Sequence, residues 1–276
     1  MLPSLLLALR EGLEAALVIG IVLGILSKIK RQDLKPAVWS GVAAAAIFSL
    51  LGALLFTQLG AQFEGRAEEI FEGIAMLMAA GLLTWMIFWM QGRARTLRQE
   101  LETDTHRAVA QGGQKALFIL AFLTIGREGL ELALFLFATS MTSTAMQTIV
   151  GAILGLVIAG ILGWILFAST RRLNVKAFFQ VTSVLLILFA AGLVAHGVHE
   201  FNEAGLIPPV IEHVWDINHL LHENSTLGEI LKALFGYNGN PSLTELIAYA
   251  AYFVLLWLGI QGFSRPAQPI KQPFKN

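Results

Sequence analysis

Long apolar runs separated by short polar segments dominate the chain. Apolar runs of about 18 residues or more are the pattern of transmembrane helices. The runs predict seven spans, at residues 2–27, 37–60, 70–91, 116–140, 147–169, 177–197 and 243–263. The predicted fold is therefore an all-α integral membrane protein, with residues 1–276 forming a single transmembrane domain surrounded by lipid.

Composition supports a membrane protein and limits the kinds of metal ligand that the chain can offer. The chain is 56% hydrophobic and only 14% charged, and its mean hydropathy is +0.68, whereas a soluble domain is about a quarter charged. The formal net charge is zero, which by itself says nothing about nucleic acid because the charges are segregated by side of the membrane, and no nucleic-acid partner is expected. The absence of cysteine excludes a thiolate metal site, a disulfide and a thiol nucleophile. Any bound metal must be held by Glu, Asp, His or backbone oxygens.

The basic residues predict the orientation in the membrane. Fifteen of the 19 Lys and Arg residues fall in alternate segments, at 28–36, 92–115, 170–176 and 264–276. Cytoplasmic loops carry the excess of Lys and Arg. We therefore expect a multi-pass protein of a bacterial inner membrane, with the N-terminus outside and the C-terminus inside, which requires an odd number of spans.

An internal repeat divides the chain. Arg10-Glu11-Gly12-Leu13-Glu14 recurs as Arg127-Glu128-Gly129-Leu130-Glu131, and shorter matches relate spans 2 and 5 and spans 3 and 6. Because three spans separate the copies, the two three-helix repeats are predicted to be inverted, an arrangement of transporters with a site at the repeat interface. The predicted parts are repeat 1 (about 1–91), a cytoplasmic loop (92–115), repeat 2 (about 116–197), an extracytoplasmic segment (198–242), helix 7 (243–263) and a cytoplasmic tail (264–276).

The repeated motif places ionisable side chains in the middle of spans 1 and 4. A spacing of i, i+3 puts both carboxylates of a motif on one helical face, and each arginine lies four residues before the second glutamate. One central charge costs roughly 2.5–3.5 kcal/mol, and four acids against two bases leave two negative charges. The acids predicted to bind a cation are Glu11, Glu14, Glu128 and Glu131. The residues predicted to balance charge are Arg10 and Arg127.

Other interpretations of the motif remain open at this point. The Arg and Glu side chains could serve only to hold the two helices together. Gly12 and Gly129 are expected to let those helices approach closely. Carboxylates suit hard ions, and ferric iron fits them well, while ferrous iron, manganese, calcium and protons stay open.

The residues resemble a known family. The doubled Arg-Glu-Gly-Leu-Glu motif, Glu68–Gly73, Leu83–Met90 and His199–Leu206 are similar to the high-affinity iron permeases: the fungal oxidase-coupled permeases and, more closely, the bacterial EfeU-type permeases. The resemblance implies iron transport, with the motif glutamates as iron ligands. It also implies that an extracytoplasmic iron oxidase, peroxidase or iron-binding protein delivers the iron. Iron, with Fe3+ favoured and Fe2+ as the alternative, is then a substrate, and no organic cofactor is expected.

Two further groups of polar residues lie on the predicted outer side. Glu68, Glu69 and Glu72 are hypothesised to capture iron at the outer end of span 3, although acids also favour a helix N-terminus. If residues 212–223 form a helix, one face carries a second patch, equally typical of an amphipathic helix on the membrane surface. The residues of that patch are Glu212, Asp216, His219 and Glu223.

Three alternatives compete with a ferric iron permease. The same carboxylates suit a ferrous iron or manganese transporter. Paired carboxylates also suit an intramembrane acid–base enzyme, but no HExxH or GxSxG motif is present. A scaffold subunit for another protein is the third. We expect a transporter and not an enzyme.

Overall fold

The computed structural model describes residues 1–60, 63–93, 97–168, 175–222 and 225–263. Within these ranges the chain forms nine α-helices and one short 3-10 helix at Gln32–Leu34, and no strand. The helices are α1 (Leu2–Lys28), α2 (Lys35–Gly60), α3 (Arg66–Arg93), α4 (Leu97–Gln111), α5 (Gly113–Thr142), α6 (Ala145–Ala168), α7 (Val175–Glu203), α8 (Thr226–Phe235) and α9 (Leu243–Phe263).

Each predicted span corresponds to one helix: α1, α2, α3, α5, α6, α7 and α9. Five helices in the described part of the chain are long and apolar enough to cross a membrane, namely α2, α3, α6, α7 and α9. The other two, α1 and α5, have 27 and 30 residues, or about 40 and 45 Å at 1.5 Å per residue. Both helices are longer than a bilayer core is thick, and they differ from the other five in carrying the charged motifs.

Helices α1 and α5 pack against each other in opposite directions. Leu7 near the start of α1 shares an apolar cluster with Phe135 near the end of α5. Val22 near the end of α1 shares another cluster with Leu117 near the start of α5. The two motifs, one in each helix, therefore meet between these clusters.

The remaining long helices surround this pair. The most extensive contacts join α2 to α5 and α6 to α1, and α3 packs on α7, which also contacts α9. Apolar side chains along α2 point away from the protein, among them Leu50, Leu51, Leu54 and Leu55. An apolar surface of this size is what a lipid-facing helix presents.

Two shorter helices lie outside the long ones. The segment predicted as a loop at 92–115 contains the mixed-charge helix α4. The last short helix, α8, begins where the Ser225 hydroxyl accepts a hydrogen bond from the Gly228 amide, and ends at Gly236. Gly236 has φ +66°, a left-handed conformation that glycine adopts without strain.

Candidate metal centre

Three carboxylates from the two motifs come together between α1 and α5. One oxygen each of Glu11, Glu128 and Glu131 lie within 4.8 Å of one another, and no other such group of potential metal ligands occurs in the described residues. The antiparallel packing of α1 and α5 brings the two i, i+3 pairs to the same level. The geometry is that of a small oxygen-lined cation site.

The carboxylates of this cluster are buried. The exposed fraction is 1% for Glu11, 9% for Glu128 and 8% for Glu131. Charged side chains are almost never fully buried unless they are paired or bind an ion. The burial of three acids at one point therefore requires either a compensating positive charge or protonation of the carboxyl groups.

The arginines supply part of that charge from within their own helices. The Arg10 Nε donates to Glu14 Oε1 at 3.3 Å, and the Arg127 Nε donates to Glu131 Oε1 at 2.8 Å. Both pairs confirm the i, i+4 arrangement expected from the sequence. Glu14, which was predicted to join the other three acids, is not a member of the cluster.

The arginines differ in their surroundings. The Arg10 side chain is completely buried, whereas 37% of the Arg127 side chain is exposed. The Arg127 guanidinium also lies over the Trp85 ring, with Cζ 5.9 Å from the ring centroid, a distance at which cation–π attraction operates. The two motifs are thus identical in sequence and unequal in environment.

Several polar atoms at the centre lack a hydrogen-bond partner among the described residues. They are both carboxylate oxygens of Glu11, Oε2 of Glu131, and Nη1 and Nη2 of Arg10. Leaving a buried polar atom unpaired costs about 1–3 kcal/mol, more for charged groups. Three unpaired carboxylate oxygens beside one another are the expected signature of a site that binds a cation.

The motif glycines do not lie between α1 and α5. A Cβ on Gly12 would come 2.7 Å from the Ala159 Cβ of α6, and a Cβ on Gly129 would come 2.7 Å from the Ser49 Cβ of α2. The prediction that these glycines bring the motif helices together is therefore wrong. Successive residues of a helix are rotated by about 100° around its axis. When Glu11 faces α5, Gly12 therefore faces a different neighbouring helix.

The N-terminal end of α3 and the C-terminal end of α7 bring further acids together. A Cβ on Gly73 of α3 would come 2.9 Å from the Gly197 carbonyl oxygen of α7, so the helices touch here. This contact places Glu72 close enough to act electrostatically on Glu200 of α7. Glu200 was not among the predicted capture residues. Its place in the stretch His199–Leu206, already singled out above, was the signal available in the sequence.

A buried carboxylate on α9 was also missed. Glu245 is 3% exposed, and its Oε1 lies 3.0 Å from His199 Nδ1 of α7. Its Oε2 accepts a hydrogen bond of 2.8 Å from the Asn238 side-chain amide. These bonds tie α7, α9 and the outer segment together.

The predicted outer patch is not supported as a helical face. Residues 211–222 form bends and a turn, so Glu212, Asp216 and His219 share no helical side, and all three are exposed. The fourth member, Glu223, lies outside the described residues.

Comparison with known proteins decides the family. The sequence profile of the Iron permease FTR1 family matches residues 1–265. The chain belongs to this family. Its permease assignment and its five apolar helices make it a multi-pass membrane protein.

Three bacterial relatives show the degree of similarity. The chain is 34% identical to the ferrous iron permease EfeU of Shigella sonnei and to that of Escherichia coli O157:H7, over 96% of both chains in each case. It is also 34% identical to the ferrous iron permease EfeU of Yersinia pestis, over 92% of this chain and 91% of the relative. No solved structure matches the chain.

Proposed function

We propose that this iron permease carries ferrous iron across a bacterial inner membrane, through the carboxylate cluster between α1 and α5. The observation that carries the proposal is the cluster itself: Glu11, Glu128 and Glu131 within 4.8 Å, buried, and with three oxygens lacking a partner in the described residues. The relatives, which are named ferrous iron permeases, support the same ion. As a transporter, the protein has no catalytic role in this proposal.

Charge balance favours a divalent ion over ferric iron. Four motif glutamates and two motif arginines leave two negative charges when all are ionised, and Fe2+ neutralises them. Fe3+ would leave one buried positive charge, and an uncompensated buried charge costs several kcal/mol. Carboxylates are hard ligands, which is why Fe3+ was favoured from the sequence. Ligand hardness, however, takes no account of the net charge of the four glutamates and two arginines. We therefore propose ferrous iron in place of the ferric ion.

The proposed topology has seven spans in two inverted repeats, with the N-terminus outside. The contacts between the two repeats support this topology, because each motif helix packs on a helix of the other repeat. Helix α6 packs on α1, and α2 packs on α5. In this topology a pseudo-two-fold axis in the membrane plane relates these two contacts. The same axis relates the packing of Ala159 against Gly12 to the packing of Ser49 against Gly129. The carboxylate cluster then lies on that axis, near the middle of the membrane.

Metal binding to the purified protein tests the ion. We expect one Fe2+ per chain under anaerobic conditions, about tenfold or more tighter than Mn2+, because Fe2+ precedes Mn2+ in affinity for a given set of ligands. Fe3+ should bind more weakly than Fe2+ for the reason of charge. Tighter Fe3+ binding would restore the ferric hypothesis, and tighter Mn2+ binding would favour a manganese transporter. If none of the three ions binds, the acids have only a structural role.

At the outer mouth, we propose that Glu68, Glu69 and Glu72, together with Glu200, attract the ion before it reaches the centre. An extracytoplasmic oxidase, peroxidase or iron-binding protein would deliver iron to this mouth. Acidic surfaces raise the local concentration of cations. This supports a role in capture and not in tight binding.

Glu72→Gln should raise the KM for iron uptake by about threefold to tenfold and leave the maximal rate unchanged, because local attraction affects encounter. The effect should shrink at high ionic strength. Glu64→Gln, an exposed outer acid just before α3, is the matched control. An unchanged KM for Glu72→Gln at low salt would remove the capture role.

A further inference from the structure

Helix α4 is amphipathic and presents its apolar side to the motif helices. Leu101, Thr105 and Ala108 are buried and recur with the i, i+4, i+7 spacing of one helical face. Asp104 and Arg107 are exposed on the other side. The helix packs on both α1 and α5.

Leu101 lies about one helical turn from the carboxylates. It shares an apolar cluster with Val18 of α1 and Ile125 of α5. Ile125 precedes Glu128 by three residues and Val18 follows Glu11 by seven, which are distances of about 4.5 and 10 Å along the helices. Leu101 therefore lies next to the site, on the side where α1 ends and α5 begins.

A second apolar layer follows further along the same direction. Ala108 of α4 shares a cluster with Val22 of α1 and with Leu117 and Ala121 of α5. Thr105 lies between the layers, and its hydroxyl is bonded to the Leu101 carbonyl oxygen at 2.6 Å. An ion leaving the carboxylates here meets two apolar layers, and an apolar constriction blocks ions by excluding water.

We propose that α4 is the inner gate of this permease and that Leu101 is the residue closing the path from the carboxylates to the cytoplasm. The proposal rests on the proposed function in one respect, that iron passes between α1 and α5 towards the side of α4. Opening is then a displacement of α4 that takes Leu101 and Ala108 out of the two layers.

Movement of α4 is easier than movement of α1 or α5. Helix α1 is held against α6 at Gly12, and α5 is held against α2 at Gly129, both at near backbone contact. Helix α4 contains no glycine that would let a neighbouring helix approach so closely, and Asp104 and Arg107 on its charged side are already exposed. Moving α4 outward would bury no charge.

The chain has no cysteine, so a single introduced cysteine can report on the gate. In inside-out vesicles, Val18→Cys should react slowly with a membrane-impermeant maleimide. Adding Leu101→Ala should speed the labelling about tenfold or more, because a Leu to Ala change in a core weakens the closed packing by at least the 1.4 kcal/mol of a tenfold change. Thr103→Ala, on the exposed side of α4, is the control and should have no effect. Unchanged labelling with Leu101→Ala, in protein that elutes as a folded species, would overturn the proposal.

A cross-link tests the gate during transport. Ala108→Cys with Ala121→Cys joins α4 to α5 within one cluster. Cross-linking should stop iron uptake into proteoliposomes, and reduction should restore it, while iron binding in detergent is retained. Full uptake by the cross-linked protein would overturn the gate. The labelling experiment uses no iron and so tests the gate alone. Loss of iron binding in the uncross-linked protein would count against the proposed function but not against the gate.

Discussion

Glu11→Gln is expected to abolish iron uptake and to leave the protein folded. Both oxygens of Glu11 lack a hydrogen-bond partner in the described residues, and the side chain is 1% exposed. Glutamine keeps the shape and removes the negative charge, so the cation loses a ligand. Removing an uncompensated buried charge also lowers the cost of folding. Radioactive iron uptake into proteoliposomes and thermal unfolding in detergent measure the two effects.

The controls for this prediction come from the same motifs. Glu131→Gln should also abolish uptake, since its Oε2 is unpartnered within the described residues, but it should destabilise the protein by weakening the Arg127 pair. Glu64→Gln should leave uptake unchanged. Wild-type uptake by Glu11→Gln, with loss of uptake only in the arginine variants, would mean that the motifs hold the helices together and do not bind iron.

The positions of the long helices were predictable because lipid imposes one simple requirement. A spanning segment must be long, apolar and helical, and in the described residues five of the seven predicted runs meet that requirement in full. The internal ion pairs were predictable for a similar reason, since Arg10 and Glu14 are neighbours on any helix. Even so, α7 continues to Glu203, six residues beyond the predicted end, because its last turns pack on α3 and not on lipid.

Contacts between helices were not predictable in the same way. The glycine in each motif was correctly associated with close packing, but the partner helix was wrong, because a single sequence does not say which neighbour faces Gly12. The same limitation affected Glu14, which spacing grouped with the other acids. In the structure, the Arg10 side chain holds it, and the cluster contains three acids.

The outer segment shows a signal that was present and overlooked. Polar residues recur every three or four positions in residues 212–223, and this spacing suggested a helix. The helix is instead α8, and its limits follow from Ser225 as the N-cap and Gly236 as the left-handed C-terminal residue. Capping residues define a short helix better than periodicity does.

Arg10→Gln is expected to destabilise the protein much more than Arg127→Gln, although the two arginines occupy the same position in the repeat. Arg10 is completely buried and holds Glu14, so its removal leaves acids in the interior without compensation. Breaking a buried ion pair by removing one partner costs about 3–5 kcal/mol. Arg127 is 37% exposed, so water that reaches the site compensates Glu131 in part. Detergent-stable yield and thermal unfolding of the two variants give the comparison.

The double variant Arg10→Gln with Glu14→Gln separates charge from packing. Because it removes both members of the pair, it should recover most of the stability lost in Arg10→Gln and still bind iron through Glu11, Glu128 and Glu131. Equal destabilisation by the two single arginine variants would contradict the inequality of the motifs. Failure of the double variant to recover would show that the Arg10 side chain stabilises the bundle by its packing volume, and that balancing the negative charge of Glu14 is not its main role.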